Sequence, residues 1–312
     1  MKSPTVDIIL VSYNTAEYTL RALHSVYEET KQFNFTVIVV DNNSQDDSVQ
    51  QIKEKFPDTK LIVSKKNLGF AGGVNLGASH ASGDYILLLN PDTVVLDGAI
   101  DKLLRFAGQY PENGIWGGIT LNNDLSTNTH NAWAEESLST LFFSVFGLNR
   151  LFKESCFFNH ANYGCWKRDS IKAVDTLQGS FFLISKDVWN KLNGLDETFF
   201  MYAEEADFCY RARALGYQPI ITPNAKIIHH GGGSETNLSG KMIKLLTGKV
   251  TFINKHHSFI KRLLMKSLLL LYVTNKLLLS TLMSLFKNNK KESQAEWWKI
   301  FQNSPMWLQG YH

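Results

Sequence analysis

Four apolar stretches in the first ninety residues, separated by helix-opening polar segments, set the limits on this chain: VDIILVS (6–12), FTVIVVD (35–41), LIVS (61–64) and DYILLLN (84–90). Strands this uniformly apolar are buried on both faces, which a sheet achieves when helices cover each side. Regular alternation of strand and helix then means a mostly parallel sheet with right-handed crossovers. Asn14-Thr15-Ala16-Glu17 is a cap-like start for a helix to about Thr30, Ser44 with Asp46 and Asp47 opens a second, and glycine-rich 69–77 opens a third. Ligands of such sheets sit beyond the carboxyl ends of the strands. Asp41 and Asn90-Pro91-Asp92 both fall at such ends.

Further along, a helix is expected over 98–109, a strand at SFFLIS (180–185), a short helix in KDVWNKLNG closed by Gly194, and a helix from Ala203 to Leu215 ending at Gly216. IIT and KIIHH read as two more short strands. Residues 110–176, rich in Trp, Phe and Asn, have too weak a periodicity for any element to be assigned. The chain of 312 residues, 44% hydrophobic and 20% charged, is long for one core, and fits one large α/β domain with an appendage.

Cys156, Cys165 and Cys209 are odd in number and lack CxxC spacing, which favours a reducing compartment over a disulfide framework or a zinc site. The N-terminal apolar run contains Asp7 and no small-residue cleavage site, so no signal peptide is expected. Residues 241–312 hold 12 of the 32 lysines and arginines but 2 of the 29 acids, an excess of ten positive charges; residues 1–240 carry a net −7. That balance disfavours nucleic acid as a partner of the main body.

Three polar clusters carry the chemistry. Asn90-Pro91-Asp92 is a good strand-ending turn on structural grounds alone, but it projects a carboxylate at the ligand-facing edge. Asp41-Asn42-Asn43-Ser44 lies at another strand end, and Asn67-Leu-Gly69-Phe-Ala-Gly72-Gly73-Val-Asn75 supplies a glycine-rich helix start whose amides suit a diphosphate. Glu204, Glu205 and Asp207 start a helix, where acids stabilise the N-terminus and Asp207 can pair with Arg211. His229 and His230 end a strand before Gly231-Gly232-Gly233-Ser234, a setting for an imidazole beside an anion-accepting loop. No glycine follows the first strand and no GxxxxGK[ST] occurs, which excludes the dinucleotide fingerprint and the P-loop.

In order and spacing, VSYN, VVDNNSxDxS, NLGFAGGVNLGA, LLLNPD, LQGSFFLISKDVWNKLNGLDETFFMYAEEADFCYRARALGY and IIHHGGGS resemble the family 2 inverting glycosyltransferases, most of all the rhamnosyltransferase and galactofuranosyltransferase-like branch. The resemblance covers about residues 5–235. It implies an α/β GT-A fold, a nucleotide-sugar donor, a glycan or lipid-linked glycan acceptor, and a divalent cation, Mn2+ or Mg2+. Residues 1–110 would be the nucleotide-sugar half, 111–240 the acceptor-binding and catalytic half of the same domain, and 241–312 a basic, apolar helical tail. By position, Asn90-Pro91-Asp92 occupies the family's D-x-D slot, with Asn90 a departure from the first acid. Asp92 and His229 would hold the metal, with His230 the alternate. Donor-binding positions would be Ser12, Tyr13, Asn14, Asp41, Asn67, Gly69, Gly72, Gly73, Asn75, Asn90 and Asp92; Gly179 and Glu204 would face the acceptor. Glu205 matches the catalytic base, one methylene longer than the usual Asp, and Asp207 is the second candidate. A nucleotidyltransferase, which would want a basic loop at 11–17, and an inactive sugar-nucleotide-binding scaffold are the alternatives.

The tail lies outside the resemblance. SFIKRLLMKSLLLLYVTNKLLLSTLMSLF (258–286) is interrupted by Lys266, Asn275 and Lys276, leaving no uncharged run near the roughly 20 residues of a span. It reads as a helix lying on the cytoplasmic face of a membrane, or packed on the body of the protein or on a second subunit.

Overall fold

The computed structural model describes residues 3–231, 237–286 and 291–312. Eleven strands are present among them: β1 (Thr5–Ser12), β2 (Asn34–Asp41), β3 (Lys60–Val63), β4 (Tyr85–Leu89), β5 (Thr93–Leu96), β6 (Ile115–Leu121), β7 (Ala132–Trp133), β8 (Lys172–Ala173), β9 (Thr176–Leu177), β10 (Phe181–Ser185) and β11 (Ile220–His229). The helices are α1 (Ala16–Glu29), α2 (Ser48–Lys55), α3 (Gly69–Ala78), α4 (Ala99–Gln109), α5 (Leu138–Val145), α6 (Leu148–Leu151), α7 (Lys186–Lys191), α8 (Glu204–Ala214), α9 (Leu238–His256), α10 (Phe259–Phe286), α11 (Lys291–Gln302) and α12 (Ser304–Trp307). The chain divides into two compact units, one of residues 1–133, 167–200 and 204–234, the other of 134–166, 201–203 and 235–312. Residues 134–166, expected from the sequence within the catalytic half, therefore cluster with the C-terminal helices.

In the first unit the main sheet runs β3-β2-β1-β4-β10-β6-β11-β5, with β8 paired to β11. Its first four strands are parallel, as the apolar runs require, while β10 is antiparallel to both of its neighbours. One face packs Ile8, Leu10, Val37, Val39 and Leu87 with Leu23 and Val26 of α1 and Leu103 of α4. Each such side chain removed from water is worth about 1.5–3 kcal/mol. The other face carries α3, which comes so close that a Cβ on Gly73 would lie 2.8 Å from Val11 Cγ1, and one on Gly77 2.7 Å from Ile9 Cγ2. Asp7, the charge inside β1, accepts the amides of Ser82 (2.7 Å) and Gly83 (2.5 Å) and so fixes the turn before β4.

Three expectations change. IIT and KIIHH are one strand, β11, because Pro223 sits where the pairing with β6 shifts register between Ile221 and Lys226, so no ladder hydrogen bond is broken. Within 110–176, β6 is a fully buried central strand whose Gly117 and Gly118 leave room for Leu177 and Phe181. Cys156 and Cys165 are joined in a disulfide with Cα atoms 5.0 Å apart, so the cysteine count no longer supports a reducing compartment.

The second unit is helical. Leu141 of α5, Leu246, Val250 and Ile253 of α9, Met265, Leu269 and Val273 of α10, Ile300 of α11 and Trp307 of α12 form its core. α10 is one continuous helix of 28 residues with a mean hydropathy of 1.6 in its most apolar window, long and apolar enough by length and composition alone to cross a membrane. One side of it is nevertheless packed against the other helices of the unit.

Candidate active site

The parallel register aligns Ser12 with Asp41, and the β2→α2 and β1→α1 loops lace together beyond them. Asn14, in the left-handed region at φ 53°, donates its amide to Ser44 Oγ (2.9 Å) and accepts from Gln45 N (2.7 Å). Asp46 accepts the Ala16 amide (3.1 Å). The Ser12 hydroxyl turns inward to Thr15 and Thr19, so at Ser12 only main chain borders the strand-end floor, while Tyr13 is exposed. Asp41 is 1% exposed; its Oδ1 accepts from Ser44 N (3.1 Å), and its Oδ2 has no hydrogen-bond partner among the described residues. A buried carboxylate oxygen left open in this way is a ready acceptor for a ligand.

Asn42 is the residue that sequence reasoning passed over. Its amide nitrogen donates to Asn67 Oδ1 (3.0 Å) and to Gly69 O (2.9 Å), and its Oδ1 accepts from Leu68 N (2.9 Å). Asn67 Oδ1 also accepts from Gly69 N (2.9 Å), while Phe70 N donates to Phe200 O (2.8 Å). The amides of residues 68, 69 and 70 are thus engaged within the protein. The glycines serve close approach: a Cβ on Gly69 (φ +72°) would fall 2.1 Å from Phe200 O, and Gly72 and Gly73 sit against Leu68 and Val11. Asn75 is also engaged elsewhere, bonded to Leu195 through both ends of its amide (2.8 and 3.0 Å).

Beyond β4 the chain turns at Asn90-Pro91-Asp92 and returns as β5, which pairs with β11 so that Thr93 faces His229. His230 N donates to Asp92 O (2.9 Å), and Asn90 N donates to Ser180 O (3.2 Å). This pairing sets Asp92 Oδ1 3.2 Å from His229 Nε2, with Asn90 Nδ2 3.4 Å from the same nitrogen. His230 points elsewhere: Nδ1 meets Asn123 Oδ1 (2.6 Å) and the ring lies 5.6 Å from that of Tyr18. Of the two histidines, His229 is the one at Asp92. The remainder of the glycine-rich loop, residues 232–234, lies outside the described residues.

No group of three His, Cys, Asp or Glu side chains suited to a metal occurs among the described residues. Asp92 Oδ1 and His229 Nε2 nevertheless lie 3.2 Å apart, with Asn90 Nδ2 3.4 Å from that nitrogen. Such a pair would supply two ligands to a divalent transition-metal cation that takes its others from substrate phosphates and water.

The acids of α8 separate by environment. Asp207 is fully buried and bonded to Arg211 Nε (2.6 Å), whose other nitrogens donate to Leu192 O and Gly194 O. Glu204 is buried, and burial first and the neighbouring Glu205 charge second push its carboxyl well above the usual range. Glu205 is the partly exposed acid of the pair. Cys209, on the same helix, is buried and its thiol is pushed up to about 12 by that burial, which removes it as a nucleophile. Gly179 lies 3.6 Å, through a built Cβ, from the ring of Phe70, one residue before the Ser180 carbonyl that receives Asn90.

A mostly parallel sheet flanked by helices, with an acid–histidine pair past its fourth strand and an open buried aspartate past its second, is a fold of the GT-A type. The chain belongs to glycosyltransferase family 2: residues 7–174 match the family described as Glycosyl transferase family 2. It is 26% identical over 250 residues to the N-acetylglucosaminyl-diphospho-decaprenol L-rhamnosyltransferase of Mycobacterium tuberculosis, covering 72% of this chain and 76% of that protein. It is also 26% identical over 239 residues to the rhamnosyltransferase WbbL of Escherichia coli, covering 72% and 83%. Its fold superposes with a TM-score of 0.60, at 15% identity and 98% and 88% coverage, on a mannosyltransferase from Pyrobaculum calidifontis solved in complex with GDP-Man and Mn2+. The nucleotidyltransferase alternative gives way to the family match.

Proposed function

We propose that this glycosyltransferase moves rhamnose, with inversion, from a nucleoside-diphosphate donor onto a lipid-linked glycan of a bacterial surface polysaccharide. The relatives named for rhamnosyl transfer support the sugar and the acceptor class. The observation that carries the site is the convergence of Asp92 and His229 at 3.2 Å. In this reading those two side chains hold a divalent cation. When bound there, it neutralises charge on the departing nucleoside diphosphate. Asp41 accepts a hydrogen bond from the nucleoside through its open Oδ2, beside the main chain of Ser12 and Tyr13.

Glu205 is the base. It takes the proton of the acceptor hydroxyl as that oxygen bonds to the anomeric carbon and the bond from that carbon to the diphosphate oxygen breaks. A positioned base contributes about 10²–10⁴ in rate. Asp207 is unsuited to the role because Arg211 holds it inside the protein. Glu204, its carboxyl raised by burial, borders the acceptor side with Gly179. The enzyme works at a membrane surface, held by α10, with a homodimer through the same helix as the rival arrangement. A thermal-shift screen of nucleoside-diphosphate sugars with and without Mn2+ tests the donor. The rhamnosyl donor should give the largest cation-dependent shift, and an equal response to every sugar would contradict the assignment.

A further inference from the structure

Two neighbouring residues immediately before α8, Tyr202 (φ 69°) and Ala203 (φ 73°), lie in the left-handed region, and neither is glycine. One such residue is uncommon, and two in succession persist only where the surroundings hold them there. The chain passes from Ala203 directly into Glu204 and Glu205. The backbone at 202 and 203 therefore sets the direction in which the first turn of α8 departs, and with it the place of both acids.

Residues 201–203 belong to the second unit, and that unit holds them. The Tyr311 hydroxyl donates to Met201 O (3.1 Å), with Lys244 O of α9 at 3.5 Å. Tyr202 O lies against α9 at Gly248, where a Cβ would clash with that oxygen and fall 3.0 Å from its carbon. Glycine weakens the interior of a helix relative to alanine, and Gly248 stands near the middle of the 19-residue α9. Its missing side chain is what admits the Tyr202 carbonyl. Tyr311 is itself fixed along the same helix. Its amide donates to Thr251 Oγ1 (2.7 Å), which in turn donates to Thr247 O (2.9 Å), and Asn254 Nδ2 donates to Gln309 O (2.8 Å). Gly310 (φ +86°) packs so closely that a Cβ there would lie 2.9 Å from Thr251 Oγ1. Trp307 is fully buried in the core of the unit and gives Nε1 to Ile300 O (3.0 Å). Residues 307–311 thus run along α9 and finish on the Met201 carbonyl.

We propose that Tyr311 and Gly248 are positioning residues: they hold Tyr202 and Ala203 left-handed and so set the first turn of α8, and Glu205 with it. The proposal rests on the reading of Glu205 as the base. Three variants of the full chain are compared with wild type. Tyr311→Phe removes the hydroxyl and keeps the ring, Gly248→Ala drives a Cβ into the Tyr202 carbonyl, and Glu205→Gln is the reference for a lost base. Each is measured by melting temperature, by hydrogen–deuterium exchange across residues 201–208, and by Mn2+-dependent release of nucleoside diphosphate from its rhamnose conjugate, with water as the acceptor. Tyr311→Phe should lower kcat roughly three- to tenfold, the effect of one hydrogen bond. Gly248→Ala should lower it about ten- to a hundredfold, the scale of a misplacement by an ångström. In both, donor KM should stay unchanged and exchange across 201–208 should quicken. A lowered melting temperature with kcat and exchange like wild type overturns the proposal, since a merely structural contact does not slow the molecules that remain folded. Where wild type releases no nucleotide, or Glu205→Gln keeps normal turnover, the reading of the site has failed and exchange alone decides. Faster exchange across 201–208 in both variants then sustains the hold on α8, and exchange like wild type overturns it.

Discussion

Asp207 and Arg211 form an ion pair at 2.6 Å in which the carboxylate is fully buried, and the guanidinium bridges from it to the carbonyls of Leu192 and Gly194. The pair anchors α8 to the loop that follows α7 and so fixes where the first turn of α8 presents Glu205. It also separates two acids that stand two residues apart.

Replacing each acid should therefore give opposite signatures. Asp207→Asn leaves Arg211 without its charge partner and should cost about 3–5 kcal/mol of stability, seen as a lowered melting temperature. Glu205→Gln should melt like wild type and lose about 10²–10⁴ in turnover with donor affinity retained. A Glu205→Gln enzyme of nearly normal turnover would return the base to Asp207.

Glu204 makes stability depend on pH. Its folded pKa is raised by burial and by Glu205, so the folded state holds a proton that the unfolded chain gives up above about pH 4.3. The stabilisation is complete below that value and is lost as pH rises through the folded pKa. Glu204→Gln cannot lose that proton, so its melting temperature should gain on wild type as pH rises and match it near pH 4. Parallel melting curves across this range would show that Glu204 does not hold the proton.

The glycines of α3 test whether packing or ligand approach explains them. Gly73→Ala places a Cβ 2.8 Å from Val11 Cγ1 and Gly77→Ala places one 2.7 Å from Ile9 Cγ2. Each should cost about 1–3 kcal/mol through overpacking, while the protein that remains folded binds donor with unchanged affinity. Lost affinity at full stability would restore the diphosphate role.

Much of this arrangement was legible in the sequence because burial on both faces leaves a plain mark. β1, β2, β4 and β10 are apolar runs, and the residues that close the first three, Ser12, Asp41 and Asn90, fall at the ligand edge by strand order alone. The pairing of β5 with β11 was hidden, since a four-residue strand after a proline turn carries no periodicity, and that pairing is what brings His229 rather than His230 to Asp92. β6 was hidden by Gly117 and Gly118, whose missing side chains the packing of Leu177 and Phe181 requires. The glycine-rich segment has two readings for a related reason. Glycine marks close approach, and sequence does not say whether a phosphate or a neighbouring strand does the approaching. The disulfide depends on a 5.0 Å Cα separation that a sequence separation of 9 does not announce.

Whether Asp92 and His229 hold a cation against the donor diphosphate is read directly by calorimetric titration of a nucleoside diphosphate with and without Mn2+. Asp92 takes part in the backbone pairing through its carbonyl, which receives His230 N, so Asp92→Asn keeps that bond and should fold normally. Wild type should bind the nucleotide more tightly when Mn2+ is present. Asp92→Asn should lose that enhancement, by at least about tenfold, given that residues merely supporting a metal ligand are worth 10- to 100-fold. Equal Mn2+-dependent affinity in wild type and Asp92→Asn would contradict the assignment.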